Sequence, residues 1–202
     1  MAINKDSIPS VEQLFKDFDH PNPNINRDAC ICMNKYYPKE SMSKLIRNLG
    51  KKDVKLRRKS VICLSLFGEK AFPLVLQLFY STNNNVTRVS CLKVFIKLAY
   101  YSKEYQSREE LFDLIKIAIE DNSYEMILTA ISLLRQLNNP SIPFLKKLCR
   151  DNNILKAKAA ITAISELKDP SILFFLNELS QDDSLNNFIR EAAIEAISVN
   201  PK

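Results

Sequence analysis

The sequence predicts an all-α chain, an α-solenoid of about six antiparallel helix pairs. Three observations carry that prediction. First, Pro140-Ser141-Ile142 returns thirty positions later as Pro170-Ser171-Ile172. The apolar residues before each triplet also match: Ile127, Ala130, Ile131, Leu134 and Leu137 align with Ala157, Ala160, Ile161, Ile164 and Leu167. A fixed period of about 20–50 residues marks stacked repeats. Second, a small residue recurs at Ala29, Ser60, Ser90, Ala130, Ala160 and Ala193, in steps of 31, 30, 40, 30 and 33. Third, Gly50 and Gly68 are the only glycines in 202 residues. Hairpins and phosphate-cradling loops need more residues with positive φ than that.

The elements follow in order. Ser10 is placed to cap a first helix over 11–18, which His20-Pro21-Asn22-Pro23-Asn24 ends, because proline lacks a donor and restrains its predecessor. A second helix is expected over 25–36. The next pair spans 40–49 and 54–67 around Gly50-Lys51-Lys52-Asp53, with Asp53 as the cap of the second helix. Leu56, Ser60, Cys63, Leu64 and Phe67 share one stripe of that helix. The remaining pairs are 70–80 with 86–101, 108–119 with 123–137, 141–150 with 154–167, and 171–180 with 186–198. The single long step between small residues brackets 100–106, read as an insertion in an inter-repeat loop, where added residues disturb no packed helix. The expectation is one domain, 1–202, with repeats at about 10–37, 38–68, 69–106, 107–138, 139–168 and 169–202.

Composition narrows the function. No run approaches the roughly 18 apolar residues of a membrane span, so no membrane insertion is expected. The first twenty residues carry acids and no apolar run, against a signal peptide. Five cysteines without framework spacing point to a reducing interior and a cytoplasmic location. The net charge of +6 is uneven: residues 35–59 hold ten Lys or Arg against Glu40 and Asp53. Such a segment suits an anionic partner or ligand, or is a solvated basic face.

No catalytic or metal site is expected. His20 is the only histidine, and a lone histidine in a turn makes neither a metal site nor a triad. Cys30 and Cys32 point to different sides of a helix and cannot jointly hold zinc there, while Cys63 and Cys91 read as packing residues. Phosphate-binding, zinc-hydrolase and nucleophile-elbow motifs are absent. The candidate partner- or ligand-binding residues are Arg57, Arg58, Lys59 and Arg88, at the starts of second helices. Arg57 flanks the apolar stripe and is expected to pair with an acid of the next repeat as a structural brace. Arg58 and Lys59 are read as unneeded for packing and free for a partner.

The period, the Asn-Pro opening and the second-helix arginines together resemble HEAT repeats. The segments Glu12-Gln13-Leu14-Phe15, His20-Pro21-Asn22-Pro23-Asn24, Leu56-Arg57-Arg58-Lys59-Ser60-Val61 to Gly68, Asn85-Val86-Thr87-Arg88-Val89-Ser90-Cys91 and Phe188-Ile189-Arg190-Glu191-Ala192-Ala193 resemble more specifically the HEAT-like bilin lyase subunits of phycobiliprotein maturation. The likeness runs end to end and is strongest to the Z-type phycoerythrin maturation proteins. Asn26 stands where such relatives tend to carry arginine. The resemblance implies an accessory, chaperone-like role in attaching phycobilin to phycoerythrin subunits beside a lyase that carries most of the activity, and leaves open any lyase activity of its own. The implied partners are a phycoerythrin subunit and a HEAT-like bilin lyase. No cofactor would be held stably, and phycoerythrobilin only in transit. The contrasting reading is a HEAT-type nucleic-acid-binding or DNA-repair protein, prompted by the basic segment. Against it, the chain lacks tryptophan and the basic charge is confined to one repeat, so nucleic acid is not expected as a partner.

Overall fold

A computed structural model describes residues 8–199. These form twelve α-helices and three single-turn 3-10 helices, with no strand among the described residues. The helices are α1 (Val11–Asp19), α2 (Pro23–Tyr36), α3 (Pro38–Asn48), α4 (Val54–Leu66), α5 (Phe72–Ser81), α6 (Asn85–Tyr101), α7 (Glu109–Ala118), α8 (Tyr124–Leu137), α9 (Ile142–Leu148), α10 (Ile154–Ser165), α11 (Ser171–Gln181) and α12 (Asn187–Val199). They make six antiparallel pairs, α1 with α2 through α11 with α12, as short turns require. The described residues gather into two compact units that divide between Leu98 and Ala99, within α6.

The expected caps are present. Ser10 Oγ accepts from the Gln13 amide at 3.2 Å. Asp53 Oδ1 accepts from Lys55 and Leu56 at 2.8 and 3.1 Å. Helix α2 starts earlier than expected, with Pro23 in its first turn and Asn22 as cap. Proline fits there, since its missing donor is one the helix cannot satisfy anyway. All six recurring small residues are buried, because a short side chain lets neighbouring helices approach. The ten matched apolar residues of the two near-copies are also buried, in α8, α10 and the turn after α10.

In the amino-terminal unit, Leu14 and Phe18 of α1 pack with Ala29 and Met33 of α2, all buried. Phe72 and Phe95 meet edge to face at 5.3 Å, a preferred aromatic geometry. Gly50 follows α3, and a Cβ there would stand 2.7 Å from Thr87 Oγ1, so the close approach demands glycine. Gly68 has φ 57°, which ends α4 in a conformation that costs glycine little. In the carboxy-terminal unit, α8, α10 and α12 lie side by side, with Leu134, Ala160, Ile164 and Ala193 fully buried between them and their first-helix partners.

Two expectations need correction. The 100–106 segment is only partly loop. Tyr100 and Tyr101 close α6, in line with the helix expected over 86–101, and Lys103–Tyr105 forms a 3-10 turn that buries Tyr105. An aromatic that can be buried recruits its segment into structure. The second correction concerns Cys63, read from sequence as a packing residue, and Cys30, read only as unable to share a zinc with Cys32. Helices α2 and α4 are neighbours, and the two sulfurs form a disulfide with Cα atoms 5.3 Å apart. Cys32, Cys91 and Cys149 are free thiols.

Candidate functional site on helices α2 and α4

The four sequence-chosen residues divide into three that brace the fold and one that does not. Arg57 donates from one guanidinium nitrogen to the carbonyls of Lys51 and Lys52, at 2.6 and 2.9 Å. It therefore caps the turn of its own pair, which corrects the expected acid of the next repeat. The turn after α3 leaves carbonyls without intrahelical donors, and these are the nearest acceptors. Asn26 performs the same task one repeat earlier. It lies three residues before Ala29, as Arg57 lies three before Ser60, and its amide donates to the carbonyls of Asp17, Phe18 and His20 at 3.0, 2.8 and 2.7 Å. A shorter side chain thus replaces the arginine by sitting closer to the helix end.

Lys59 donates to the Asp19 carbonyl at 2.9 Å and to Asp19 Oδ1 at 3.0 Å, tying α4 to the end of α1. The reading of Lys59 as unneeded for packing is corrected: its long stem reaches the neighbouring pair. Arg88 stacks on the Phe79 ring at 4.6 Å. Arg58 alone of the four is exposed and has no side-chain partner among the described residues.

Arg58 belongs to a face that the sequence reading missed. Cys30 bonds Cys63, and Asn34 Nδ2 donates to the Leu66 carbonyl at 2.9 Å. Both contacts advance in the same direction along α2 and α4, so the two helices run parallel. At 3.6 residues per turn, Ile31 is turned about 100° from Cys30, and Ile62 by the same angle from Cys63 in the opposite sense. The two rotations bring Ile31 and Ile62 to the same side of the helix pair. Residues four apart share a helix face, so Arg27 lies over Ile31 and Arg58 over Ile62. Ile31 is 47% exposed and Ile62 46%, values that leave both open to a ligand. Arg27 is exposed as well, without a side-chain partner among the described residues. Val54 extends the α4 row by one turn and Lys35 the α2 row. The signal for this face was present in the sequence: arginine two before, and isoleucine two after, the small residue in both repeats.

Elsewhere the chemistry is quiet. His20 Nδ1 accepts from the Asn22 amide at 3.0 Å and serves the turn. Burial pushes the Cys91 and Cys149 thiols up to about 12, so neither is a nucleophile at neutral pH. Among the described residues, no three His, Cys, Asp or Glu side chains converge on a point where a metal could sit. No single described helix is long and apolar enough to cross a membrane. The carboxy-terminal unit has an open groove of about 560 Å³ where the turn after α10 meets α11 and α12, lined by Leu167, Pro170, Leu173 and Ile197 among others. A smaller one of about 280 Å³ lies between α8 and α10, spanned by the ion pair of Arg135 and Glu166.

Comparison with known proteins places this geometry in context. Residues 112–198 match the family of HEAT repeats. The chain is 24% identical over 170 residues to the bilin biosynthesis protein CpeZ of Synechococcus sp. (strain WH8020), covering 81% of this chain and 91% of that protein. It is 26% identical over 191 residues to the uncharacterized phycocyanin operon protein Z of Pseudanabaena tenuis (strain PCC 7409), covering 94% of each. Among solved structures, Escherichia coli YibA superposes with a TM-score of 0.54 at 17% identity, over 97% of this chain and 70% of that one. That likeness concerns the fold. The chain is thus an all-α repeat protein whose residues 112–198 match HEAT repeats and which is similar over most of its length to a bilin biosynthesis protein and a phycocyanin operon protein.

Proposed function

From that likeness we propose that the chain serves the attachment of phycobilin to phycobiliprotein, as a non-catalytic accessory working beside a bilin lyase. Its client is a phycoerythrin subunit and its lyase partner a HEAT-like protein. It holds no cofactor permanently and meets phycoerythrobilin only in transit. The observation that carries this reading is the similarity to a bilin biosynthesis protein over 81% of this chain and 91% of that protein. The α2/α4 face supports it. That face offers positive charge and apolar surface but no histidine and no carboxylate base, so it suits holding rather than transforming.

The test is co-expression of phycoerythrin subunits and a lyase, with and without this chain. More soluble, chromophore-bearing subunit is expected when the chain is present. Equal yields in both cultures would overturn the reading.

A further inference from the structure

We propose that Arg27 and Arg58 form a two-point clamp for a flat, apolar molecule carrying two carboxylates, with Ile31 and Ile62 as its floor. The dianion's identity as a linear tetrapyrrole with two propionates rests on the function proposed above. The clamp itself rests on geometry. The disulfide and the Asn34 bond hold α2 and α4 parallel and in fixed register. Packed helix axes lie roughly 8–10 Å apart, so two arginines at the same repeat position stand about that far apart. The isoleucines sit four residues further along, about 6 Å down each axis. Charge above and apolar surface below is the pattern of an amphipathic dianion. Guanidinium groups take carboxylates by paired, charge-assisted hydrogen bonds, and the isoleucines cover part of the ring system.

Among the described residues, no side chain is paired with either arginine. Among their neighbours, Arg57 is taken by carbonyls, Lys59 by Asp19 and Arg88 by Phe79, while Lys55 is exposed on the same face of α4 and adds to its positive charge. Asp28, the nearest acid in sequence, is turned to the side of α2 away from α4 by the helical period. The apolar patch is also only two side chains wide. A stable protein interface needs on the order of 800 Å² from each partner, so a small ligand fits this patch better than a second chain.

The experiment titrates biliverdin and its dimethyl ester into the full chain, followed by absorbance. The wild-type chain should prefer the diacid to the ester by about tenfold or more, since esterification removes both charges. The Arg27→Ala/Arg58→Ala variant should lose that preference, and Arg27→Lys/Arg58→Lys should keep part of it by retaining charge without the fork. An unchanged melting temperature in both variants shows that the fold is intact. Equal binding of diacid and ester by the wild type, an alanine variant as discriminating as the wild type, or no binding at about 100 μM would each overturn the clamp. Co-expression separates this from the functional reading. If the wild type raises chromophorylated subunit and the alanine variant does so equally, the clamp fails and the function stands. If only the titration succeeds, the clamp stands without that function.

Discussion

The two units fasten their helix pairs with different chemistry. Residues 1–98 hold seventeen Lys and Arg against eight acids, and residues 99–202 hold twelve against fifteen. In the acidic unit each arginine has a partner: Arg108 lies over Tyr105, Arg135 pairs with Glu166, Arg150 with Asp182 and Glu178, and Arg190 with Asp183. Lys156 joins Glu120 at 3.3 Å. Three of these ties, Arg135, Arg150 and Lys156, join groups 28 to 36 residues apart, about one repeat. In the basic unit, acids are scarce. Its ties rest mainly on backbone carbonyls, at Asn26 and Arg57, and on a disulfide, with the Lys59–Asp19 pair as an ion pair that reaches a neighbouring helix pair. Arg27, Arg47 and Arg58 have no side-chain partner among the described residues, although Arg47 lies on the first helix α3. One repeat plan thus gives a self-satisfied unit where acids are supplied and a unit with unspent positive charge where they are not.

The largest test of that contrast removes the covalent tie. Cys30→Ser with Cys63→Ser opens a link across 33 residues, which should cost about 3–4 kcal/mol. Hydrogen exchange should show α2 and α4 losing protection while α8 and α10 keep theirs. An equal loss in both units would erase the distinction.

The next test sets Arg57→Ala beside Arg135→Ala. Arg57 satisfies two carbonyls that would otherwise rely on water, and its loss should cost about 1–2 kcal/mol. Arg135 and Glu166 are 43% and 48% exposed, so that pair should be worth under about 1 kcal/mol and fade in molar salt. Denaturant titrations at low and high salt measure both. A larger loss at Arg135 would reverse the ranking.

Acid should separate the units further. The Ser184 hydroxyl, then the Arg150 guanidinium, hold the Asp182 carboxyl down at about 2. A depressed carboxylate contributes stability that is fully present above its ordinary value near 3.8 and is lost as pH falls through about 2. The bonds of Arg57 and Asn26 to carbonyls have no titrating acceptor. Below about pH 4, Arg150→Ala should therefore flatten the pH dependence of the carboxy-terminal unit, read by urea midpoints between pH 5 and pH 2. Unchanged slopes would remove Arg150 from the account and leave the Ser184 bonds as what holds Asp182 down.

The smallest effect is expected at Arg58. Arg58→Glu should shift stability by under about 0.5 kcal/mol, as at an unengaged surface site, whereas Lys59→Glu should cost about 1 kcal/mol by breaking the Asp19 contacts. Thermal melts of the two variants compare adjacent residues directly. A matching loss at Arg58 would mean that it too braces the fold.

Helix positions, caps and the buried small residues were legible because they depend on neighbours close in sequence. Ser10 and Asp53 cap helices within three residues of themselves, and a stripe of period 3.6 declares its buried face. The role of each basic residue was less legible. Arg57, Arg58 and Lys59 are adjacent in the chain and similar in chemistry, yet one caps a turn, one faces solvent and one reaches Asp19 forty residues away. The pairing of Cys30 with Cys63 was hidden for the same reason, since it depends on how α2 is set against α4.

The amino-acid sequence by itself determined the repeat, its helices and which faces are apolar, because helical hydrogen bonds close over four residues and burial follows their period. Only the tertiary structure decided which charges are spent and which remain. Groups thirty or more residues apart meet according to the register of packed helices, and a rotation of 100° separates a brace from an open face.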